Sequence, residues 1–353
     1  MTDRVPGTIL DLTPDGATAT LDSWCQAESL PPYRLRQLVP RLWARPIGGW
    51  SEATELPQNL RLALDEAFPM PRLQRELVQE SRDGTRKYLW RLDDGEAIES
   101  VLIPSGKRRT LCISSQAGCA LGCTFCATGR MGFRRDLMPW EITGQVREIV
   151  FDDPADKPTN IVFMGMGEPL LNWDAVDVAL TQLNHAEGFG IGARHITVST
   201  VGIIPAMEKL ARRPEQFRLA VSLHAANSSA RRPMMPIDKK YDLNAVLAVA
   251  RRFTRRVTLE YVLISGVNDR DEDLEELAAR ARRAGALVNL LPLHPGGSAG
   301  LVPTPPDRIR AFAAGLVSRG VEAVVRRSRG LDIDAACGQL FIRMQSKRTA
   351  ERS

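Results

Sequence analysis

The N-terminus of this chain lacks a long apolar run, and the sequence as a whole lacks internal repeats and low-complexity segments. The opening residues, M-T-D-R-V-P-G-T-I-L-D-L, include acidic side chains where a signal peptide or a membrane span needs an unbroken apolar stretch. The six cysteines are clustered and do not stand at the paired spacings of a disulfide framework. These absences argue against a secreted or membrane-bound protein and predict a protein of the reducing cytoplasm.

The length and charge of the chain indicate how many domains it has and what kind of partner it binds. At 353 residues the chain exceeds one typical domain, and its 44% hydrophobic content is sufficient for a large core. The net charge of +5 and the pI of about 9 favour a polyanionic partner. Basic residues occur in short clusters, at 107–109, 134–135, 231–232, 239–240, 251–256, 326–329 and 343–352. Any single cluster is better explained as a solvated helix face, but together they are consistent with a phosphate-contacting surface.

Three of the cysteines, Cys119, Cys123 and Cys126, form the sequence C-A-L-G-C-T-F-C. Thiolates suit iron, and a 4Fe-4S cluster normally takes four of them. Because no fourth cysteine lies nearby, one iron would stay open for a ligand, as in catalytic metal sites. The alternatives are a zinc site or three buried thiols; the zinc site would lack its fourth ligand, since the next histidine, His185, is far along the chain. The spacing therefore predicts an iron–sulfur cluster that takes part in chemistry.

This C-x-x-x-C-x-x-C loop resembles the signature of the radical S-adenosylmethionine enzymes. The resemblance implies that Cys119, Cys123 and Cys126 hold a [4Fe-4S] cluster, whose open iron binds the amino and carboxylate groups of S-adenosylmethionine. It also implies that the cofactor is cleaved to a 5'-deoxyadenosyl radical.

The first part of the chain is predicted to be helical. Residues 33–42 and 55–67 have apolar side chains every three or four positions between proline-rich breaks. Two apolar runs follow, at 85–92 and 97–103, joined by D-D-G, which is a strong signal for a β-hairpin. We expect this hairpin to link the small helical part to a larger domain.

From residue 110 onward, predicted strands alternate with predicted helices. The strands are expected at 160–164, 195–200, 219–223, 257–264, 288–293 and 321–326, and the helices at 139–151, 173–183, 243–254, 272–284 and 307–318. Such alternation requires right-handed crossovers and a parallel sheet. The predicted fold is α/β, a partial (β/α)6 barrel of the radical-SAM type with its chemistry at the carboxyl ends of the strands. The predicted parts are a helical, RNA-binding accessory domain at 1–82, a hairpin linker at 83–104, the core at 105–340 and a basic tail at 341–353.

A glycine-rich segment, G-M-G-E-P-L-L-N, follows the predicted strand at 160–164. Gly167 lets the backbone approach a ligand, and Glu168 offers a carboxylate. Taken alone, the segment is equally typical of a turn that ends a strand. Beside the cysteine loop it resembles the segment with which radical S-adenosylmethionine enzymes hold the methionine amino group.

Polar residues also end the next two predicted strands. Ser199 stands in V-S-T-V-G, and Ser222, Leu223 and His224 stand in V-S-L-H-A. Any one of them is more often a capping serine or a hydrogen-bonded histidine than a ligand-binding residue. Their recurrence at strand ends favours a shared site at the barrel mouth, where they would contact the ribose and the carboxylate of the cofactor.

Two further cysteines flank the core: Cys112 in T-L-C-I-S-S-Q and Cys337 in D-I-D-A-A-C-G-Q-L. Both could be small buried apolar residues. Together with the cysteine loop, G-M-G-E-P-L-L-N, V-S-T-V-G, V-S-L-H-A and E-Y-V-L-I-S-G-V-N-D, however, they resemble the ribosomal RNA adenine methyltransferases of the RlmN type and their Cfr-type relatives. The motifs match in order from residue 83 to residue 340.

The resemblance implies a complete reaction and a role for each residue. One S-adenosylmethionine methylates Cys337, and a second, cleaved at the cluster, supplies the radical that removes a hydrogen atom from this S-methyl group. The methylene radical adds to the adenine, and Glu99 matches the position of the proton acceptor. Cys112 then attacks the Cys337 sulfur, which forms a transient disulfide and frees the methylated base. From the sequence alone, Glu99 would be an ordinary solvated strand glutamate.

One position departs from the family pattern. His294, in N-L-L-P-L-H-P, stands where well-known members have an asparagine that contacts the cofactor. Histidine can still donate one hydrogen bond, but its ring is larger and can titrate.

The predicted activity is methylation of carbon 2 of an adenine in 23S ribosomal RNA, with transfer RNA as a further candidate substrate. The predicted partners are this RNA and a flavodoxin- or ferredoxin-type electron donor, with no membrane and a monomeric state. Methylation of carbon 8, the Cfr-type resistance activity, is the nearest alternative. A non-catalytic iron–sulfur RNA-binding protein and a radical enzyme for another substrate are alternatives of other classes.

Overall fold

The computed structural model of the chain describes residues 7–294 and 300–340, which form twelve strands and eleven α-helices. The strands are β1 (Gln74–Glu80), β2 (Arg86–Arg91), β3 (Ala97–Ser105), β4 (Arg108–Cys112), β5 (Gln116–Gly118), β6 (Phe133–Asp136), β7 (Asn160–Phe163), β8 (Ile196–Thr200), β9 (Arg218–Ser222), β10 (Thr258–Leu263), β11 (Leu287–Pro292) and β12 (Ala323–Val325). The helices are α1 (Pro14–Ala27), α2 (Tyr33–Leu38), α3 (Gln58–Ala67), α4 (Ala127–Met131), α5 (Pro139–Asp152), α6 (Trp173–Asn184), α7 (Ile204–Ala211), α8 (Ser228–Met234), α9 (Leu243–Ala250), α10 (Asp271–Ala284) and α11 (Pro306–Ser318). The predicted tail at 341–353 lies outside the described residues.

The parallel part of the main sheet forms the partial α/β barrel that the sequence predicts. Ten strands are hydrogen-bonded in the order β1-β2-β3-β4-β7-β8-β9-β10-β11-β12, and every pair from β4 to β12 is parallel. In the described ranges this gives seven parallel strands, one more than the six predicted, because β4 also pairs with β7 in parallel. β1 and β12 are the two edges of the sheet, so the barrel is open.

Strands β1 to β4 form an antiparallel extension of the barrel. The predicted hairpin corresponds to β2 and β3, which are closed by a turn where Gly95 has a φ of +85°. The sequence pattern does not predict β1. Its residues, Q-R-E-L-V-Q-E, are almost all exposed at the sheet edge and therefore lack the alternation of apolar and polar side chains that marks a half-buried strand.

The N-terminal helices have their own apolar contacts and are also anchored to the barrel. Helix α1 begins after Thr13, whose hydroxyl accepts the N–H of Gly16 at 3.2 Å, and Trp43 and Trp50 are fully buried among its neighbours. The side-chain amide of Gln182 on α6 donates to the carbonyls of Leu10 and Leu12, at 2.8 and 2.7 Å. These contacts fix the N-terminal segment against the outer helices of the barrel.

In the described parts of the chain, no helix combines the length and the apolar character needed to cross a lipid bilayer.

Candidate active site

A cavity of about 650 Å³ lies inside the barrel and extends to the cysteine loop and to residues 326–340. Its volume falls in the range of small-molecule and cofactor sites, about 300 to 1,000 Å³. Most of the predicted site residues line it: Cys112, Cys119, Cys123, Cys126, Gly167, Glu168, Ser199, Ser222, His224, His294 and Cys337. Strand ends and loops that are far apart in sequence therefore meet around one space.

The cysteine loop is held in a tight conformation at the mouth of this cavity. Gly118 precedes the first cysteine with a φ of +75°, and a Cβ atom there would lie 2.0 Å from the carbonyl oxygen of Gly132. The N–H of Cys119 donates to that same carbonyl at 3.0 Å, which ties the loop to β6. The N–H of Cys126 donates to the carbonyl of Cys123 at 3.2 Å. All three cysteines of the loop lie on the cavity wall.

The three thiols suit an iron–sulfur cluster. Burial raises the pKa of Cys119 to about 12, with a further contribution from nearby Cys126, and burial also raises the pKa values of Cys123 and Cys126. Iron binding would displace these protons, as it does from any ligating thiol. In the described residues, no three side chains converge as ligands of a single metal ion. A cubane cluster makes a different demand, because each cysteine binds a different iron atom.

The glycine-rich segment that follows β7 brings its backbone close to the cavity, beside the cysteine loop. Gly167 has a φ of +95°, and a Cβ atom there would lie 2.5 Å from the side chain of Gln116. Glu168 is almost fully buried; its two carboxylate oxygens accept the N–H groups of Leu170 and Val201 at 3.1 and 2.9 Å. Burial nevertheless raises the pKa of Glu168 to about 7. The carboxyl group thus connects two loops and lies on the cavity wall.

Three of the four predicted residues at the ends of β8 and β9, namely Ser199, Ser222 and His224, line the cavity, and Leu223 does not. The hydroxyl groups of Ser199 and Ser222 lie 3.4 Å apart on the cavity wall. His224, with a φ of +58°, accepts the N–H of Val262 on Nδ1 at 3.1 Å, so the neutral ring carries its proton on Nε2. Burial, with a smaller effect of Arg231, lowers the pKa of His224 to about 3. Leu223 is fully buried behind the wall.

His294 also lines the cavity, next to the end of β11. Its Nε2 atom hydrogen-bonds the hydroxyl group of Ser328, and burial lowers its pKa. A neutral imidazole is therefore the form that faces the cavity.

Cys112 and Cys337 share one region of the cavity. Cys112 ends β4 and is buried, whereas Cys337 is exposed, and both thiols are free. Burial, and next the proximity of Cys337, raises the pKa of Cys112 to about 12. The two cysteines thus line the same cavity, although they lie far apart in sequence.

Glu99 is buried, so the expectation of a solvated strand glutamate is wrong. It lies on β3, which is covered on both sides by β2 and β4, and only 3% of its surface is exposed. Lys87 on β2 forms an ion pair with it, Nζ to Oε1 at 3.4 Å. Glu99 does not line the cavity. It lies on the same face of β3 as Val101 and Ile103, and these two residues do line it.

Sequence reasoning did not assign several polar residues that line the cavity wall, among them Glu260, Asn289 and Arg326. Asn289 Nδ2 donates to Glu260 Oε2 at 2.8 Å. Cys337, and less strongly Glu260 and Cys112, raise the pKa of Arg326, which lines the same cavity as both cysteines. Its Nη1 atom also lies 3.7 Å from the Met164 sulfur. A polar residue inside or directly after an otherwise apolar strand, such as Glu260 in T-L-E-Y-V-L, is the signal that could have identified these residues.

Comparison with known proteins identifies close relatives. Residues 113–279 match the family model of the radical SAM superfamily. A protein of Gemmatimonas aurantiaca named "Probable dual-specificity RNA methyltransferase RlmN" is 56% identical over 332 residues, which are 94% of this chain and 92% of the relative. The "Dual-specificity RNA methyltransferase RlmN" of Anaeromyxobacter dehalogenans is 44% identical over 320 residues, with 88% and 86% covered.

A solved structure supports the same assignment. The crystal structure of a radical SAM methyltransferase from Sphaerobacter thermophilus superposes with a TM-score of 0.87 at 41% identity, covering 95% of this chain and 99% of that one. Identity and coverage of this extent show common family membership in addition to a common fold. The chain therefore belongs to the RlmN family of radical S-adenosylmethionine methyltransferases.

Proposed function

We propose that this enzyme methylates carbon 2 of an adenine in 23S ribosomal RNA through an S-methylcysteine at Cys337 and a transient disulfide with Cys112. The observation that carries the proposal is the position of these two thiols, which line the same cavity as the three cysteines of the loop. A radical enzyme for an unrelated substrate has no need for such a pair. A non-catalytic RNA-binding protein has no need for the pair or for the glycine-rich segment.

In this proposal, Cys119, Cys123 and Cys126 hold a [4Fe-4S] cluster. Gly167, Glu168, Ser199, Ser222, His224 and His294 surround S-adenosylmethionine, and Leu223 supports the wall behind it. When bound, the cluster and S-adenosylmethionine would supply a methyl group for the Cys337 sulfur and a carbon radical that removes a hydrogen atom from the resulting S-methyl group. Two S-adenosylmethionine molecules would therefore be used per turnover. An electron-poor ring carbon of adenine accepts such a carbon radical, whereas it does not attack a sulfonium methyl group.

The chain's own residues complete the transfer. Cys337 holds the one-carbon unit as a thioether and keeps the adenine covalently attached after addition. Glu99, paired with Lys87, accepts the proton that the ring carbon loses, and the unpaired electron of the adduct would pass to the oxidised cluster, which restores the aromatic ring. The Cys112 thiolate then attacks the Cys337 sulfur, the bond from that sulfur to the methylene carbon breaks, and a proton completes the methyl group. Each role uses an atom that lies on or next to the cavity wall.

The RNA must present its target base outside the stack to reach a site inside the barrel mouth. We propose that the N-terminal part, residues 1–82, and the basic clusters contact the surrounding phosphates. Transfer RNA is a second candidate substrate on the same chemistry. The remaining elements of the proposal are a monomer in the cytoplasm and a flavodoxin- or ferredoxin-type protein as the electron donor, with a thiol reductant that reopens the disulfide.

Product identification tests the proposal. The anaerobically reconstituted holoenzyme is incubated with S-adenosylmethionine, a low-potential reductant and protein-free 23S RNA, and the methylated adenosines are identified by mass spectrometry against standards. We expect 2-methyladenosine. If 8-methyladenosine forms instead, the Cfr-type alternative is correct. If 5'-deoxyadenosine forms without either product, the radical chemistry stands and the proposed substrate is wrong.

Replacing Cys126 by alanine should remove the cluster and all activity that depends on it. Two thiols cannot hold a cluster that already has one open iron, so we expect iron content and visible absorption to fall to less than about a tenth of the wild-type values. Formation of 5'-deoxyadenosine should fall in parallel. Cys25→Ala is the matched control, because Cys25 is a buried free cysteine of α1 outside the cavity wall. A Cys126→Ala enzyme with full iron content would contradict the assignment.

A further inference from the structure

The segment that contains Cys337 is held at both ends by other parts of the chain. At its far end, the carbonyl oxygen of Gly338 accepts the N–H of Ala127 at 2.8 Å, directly after the cysteine loop. At its near end, residues 330–334 contact the turn between β1 and β2, formed by residues 81–85. We call residues 330–338 the cysteine segment. Cys337 itself is exposed between the two attachments.

Three side chains make the attachment at the near end. The Ser81 hydroxyl donates to Asp332 Oδ1 at 2.6 Å, and the N–H of Arg82 donates to Asp332 Oδ2 at 3.2 Å. In the opposite direction, the N–H of Gly330 donates to Asp83 Oδ2 at 3.2 Å. We call Ser81, Asp83 and Asp332 the clasp. Each aspartate thus reaches from its own segment to the backbone of the other.

The turn is built to hold these groups in place. Asp83 accepts the N–H of Thr85 on Oδ1 at 3.0 Å, and Ser81 is buried. Burial by itself would raise the pKa of Asp83, but hydrogen bonds from Thr85, Gly330 and Ser81 outweigh it and lower the pKa to about 2. Asp83 is therefore a carboxylate at neutral pH and accepts these bonds with full charge.

Close packing and a buried cation reinforce the contact. Gly330 has a φ of +63°, and a Cβ atom there would lie 2.7 Å from Ala335 and 3.0 Å from Thr85. Lys87, on the strand after the turn, lies 3.4 Å from the carbonyl oxygen of Asp334 and 3.4 Å from Glu99. The same strand therefore contacts both the cysteine segment and the proposed proton acceptor.

We propose that the clasp is a positioning device for Cys337: Ser81, Asp83 and Asp332 fix the cysteine segment so that the Cys337 sulfur is presented to the cavity. This inference rests on the proposed function, in which that sulfur receives a methyl group, loses a hydrogen atom from it and finally meets Cys112. Each step needs the sulfur within reaction distance of a different partner. A cysteine on an exposed stretch held at only one end would not meet that demand.

The test compares Ser81→Ala, Asp332→Asn, the double variant and the conservative Ser81→Thr, all as reconstituted holoenzymes with 23S RNA. The measured quantity is the amount of 5'-deoxyadenosine formed per methyladenosine. Because the cysteine loop is untouched, cofactor cleavage should stay within about twofold of wild type, while the ratio rises about tenfold in either single variant. The ratio in the double variant should rise by less than the product of the two single effects, since the two changes share the Ser81–Asp332 contact. Ser81→Thr should restore a ratio near wild type.

The matched control is Asp94→Asn. Asp94, like Asp83, is an aspartate in a hairpin turn. It forms an ion pair with Arg135 and has no contact with the cysteine segment. Its ratio should stay at the wild-type value. If the clasp variants lower both products equally, with a lower melting temperature and an unchanged ratio, the clasp only stabilises the fold and the proposal is overturned.

Hydrogen–deuterium exchange provides a measurement that does not depend on RNA or on the proposed reaction. In the clasp variants, the amides of residues 333–335 should exchange at least about tenfold faster than in wild type, while those of β7 to β9 are unchanged. Unchanged exchange in residues 333–335 overturns the proposal even if activity is lost. Faster exchange together with a wild-type enzyme that makes no methyladenosine would retain the clasp and reject the proposed function.

Discussion

Replacing Cys337 by alanine should abolish methylation of RNA and leave formation of 5'-deoxyadenosine largely intact. The side chain is exposed and does not belong to the cysteine loop, so its removal should not disturb the cluster ligands or the core. What it removes is the sulfur that would hold the one-carbon unit, without which no methylene radical can form. We expect methyladenosine to fall at least about a thousandfold, since a covalent step is lost entirely. Mass spectrometry of digested RNA and chromatography of 5'-deoxyadenosine measure the two products.

The control for this variant is again Cys25→Ala, which removes a thiol far from the cavity and should methylate RNA normally. Iron content must match wild type in both proteins. If Cys337→Ala still methylates RNA, the carrier role of Cys337 is wrong, whatever the product. If it loses 5'-deoxyadenosine formation together with its iron, the cysteine supports the cluster site instead.

The barrel could be predicted because each of its elements is marked locally. Apolar strands such as 160–164 and 219–223 alternate with amphipathic helices, and a parallel sheet places all strand ends on one side. Residues that follow different strands, such as Glu168, Ser199 and Ser222, therefore had to meet. The structure brings them to one cavity wall, where the two serines touch.

What could not be predicted depends on contacts between distant segments. The pairing of Ser81 with Asp332 joins residues 251 positions apart, and neither residue stands in a pattern that suggests a partner. Glu99 is an ordinary polar position in a strand until β2 and β4 flank it and Lys87 forms an ion pair with it. Arg326 follows an edge strand of three residues, so only the assembled barrel shows that it lines the same cavity as Cys112 and Cys337. Burial and charge pairing are properties of the fold that local spacing does not contain.

The burial of Cys112 requires that its thiol lose a proton before it can take part in the proposed reaction. Its thiol is buried beside Cys337, and burial keeps its pKa near 12, so it is protonated until a cation or a proton acceptor assists it. Arg326 is the nearby cation, and its effect on Cys112 is to lower the pKa. Such a thiol would be inert towards most electrophiles, and in the proposed reaction it attacks the Cys337 sulfur only once it has lost its proton. Its proposed role is therefore the last step, after the RNA is attached.

Replacing Cys112 by alanine should consequently trap the RNA on the enzyme. Addition to the adenine needs only Cys337, whereas release needs the second thiol, so the adduct should accumulate to about one equivalent per enzyme while free methyladenosine falls at least about a hundredfold. A denaturing gel of the reaction with a 23S RNA fragment would show the complex, and its dependence on S-adenosylmethionine and reductant would distinguish it from adventitious crosslinks. The Cys337→Ala/Cys112→Ala double variant should form no complex. If Cys112→Ala turns over like wild type and no adduct appears, a different group must release the product, and the proposed disulfide is wrong.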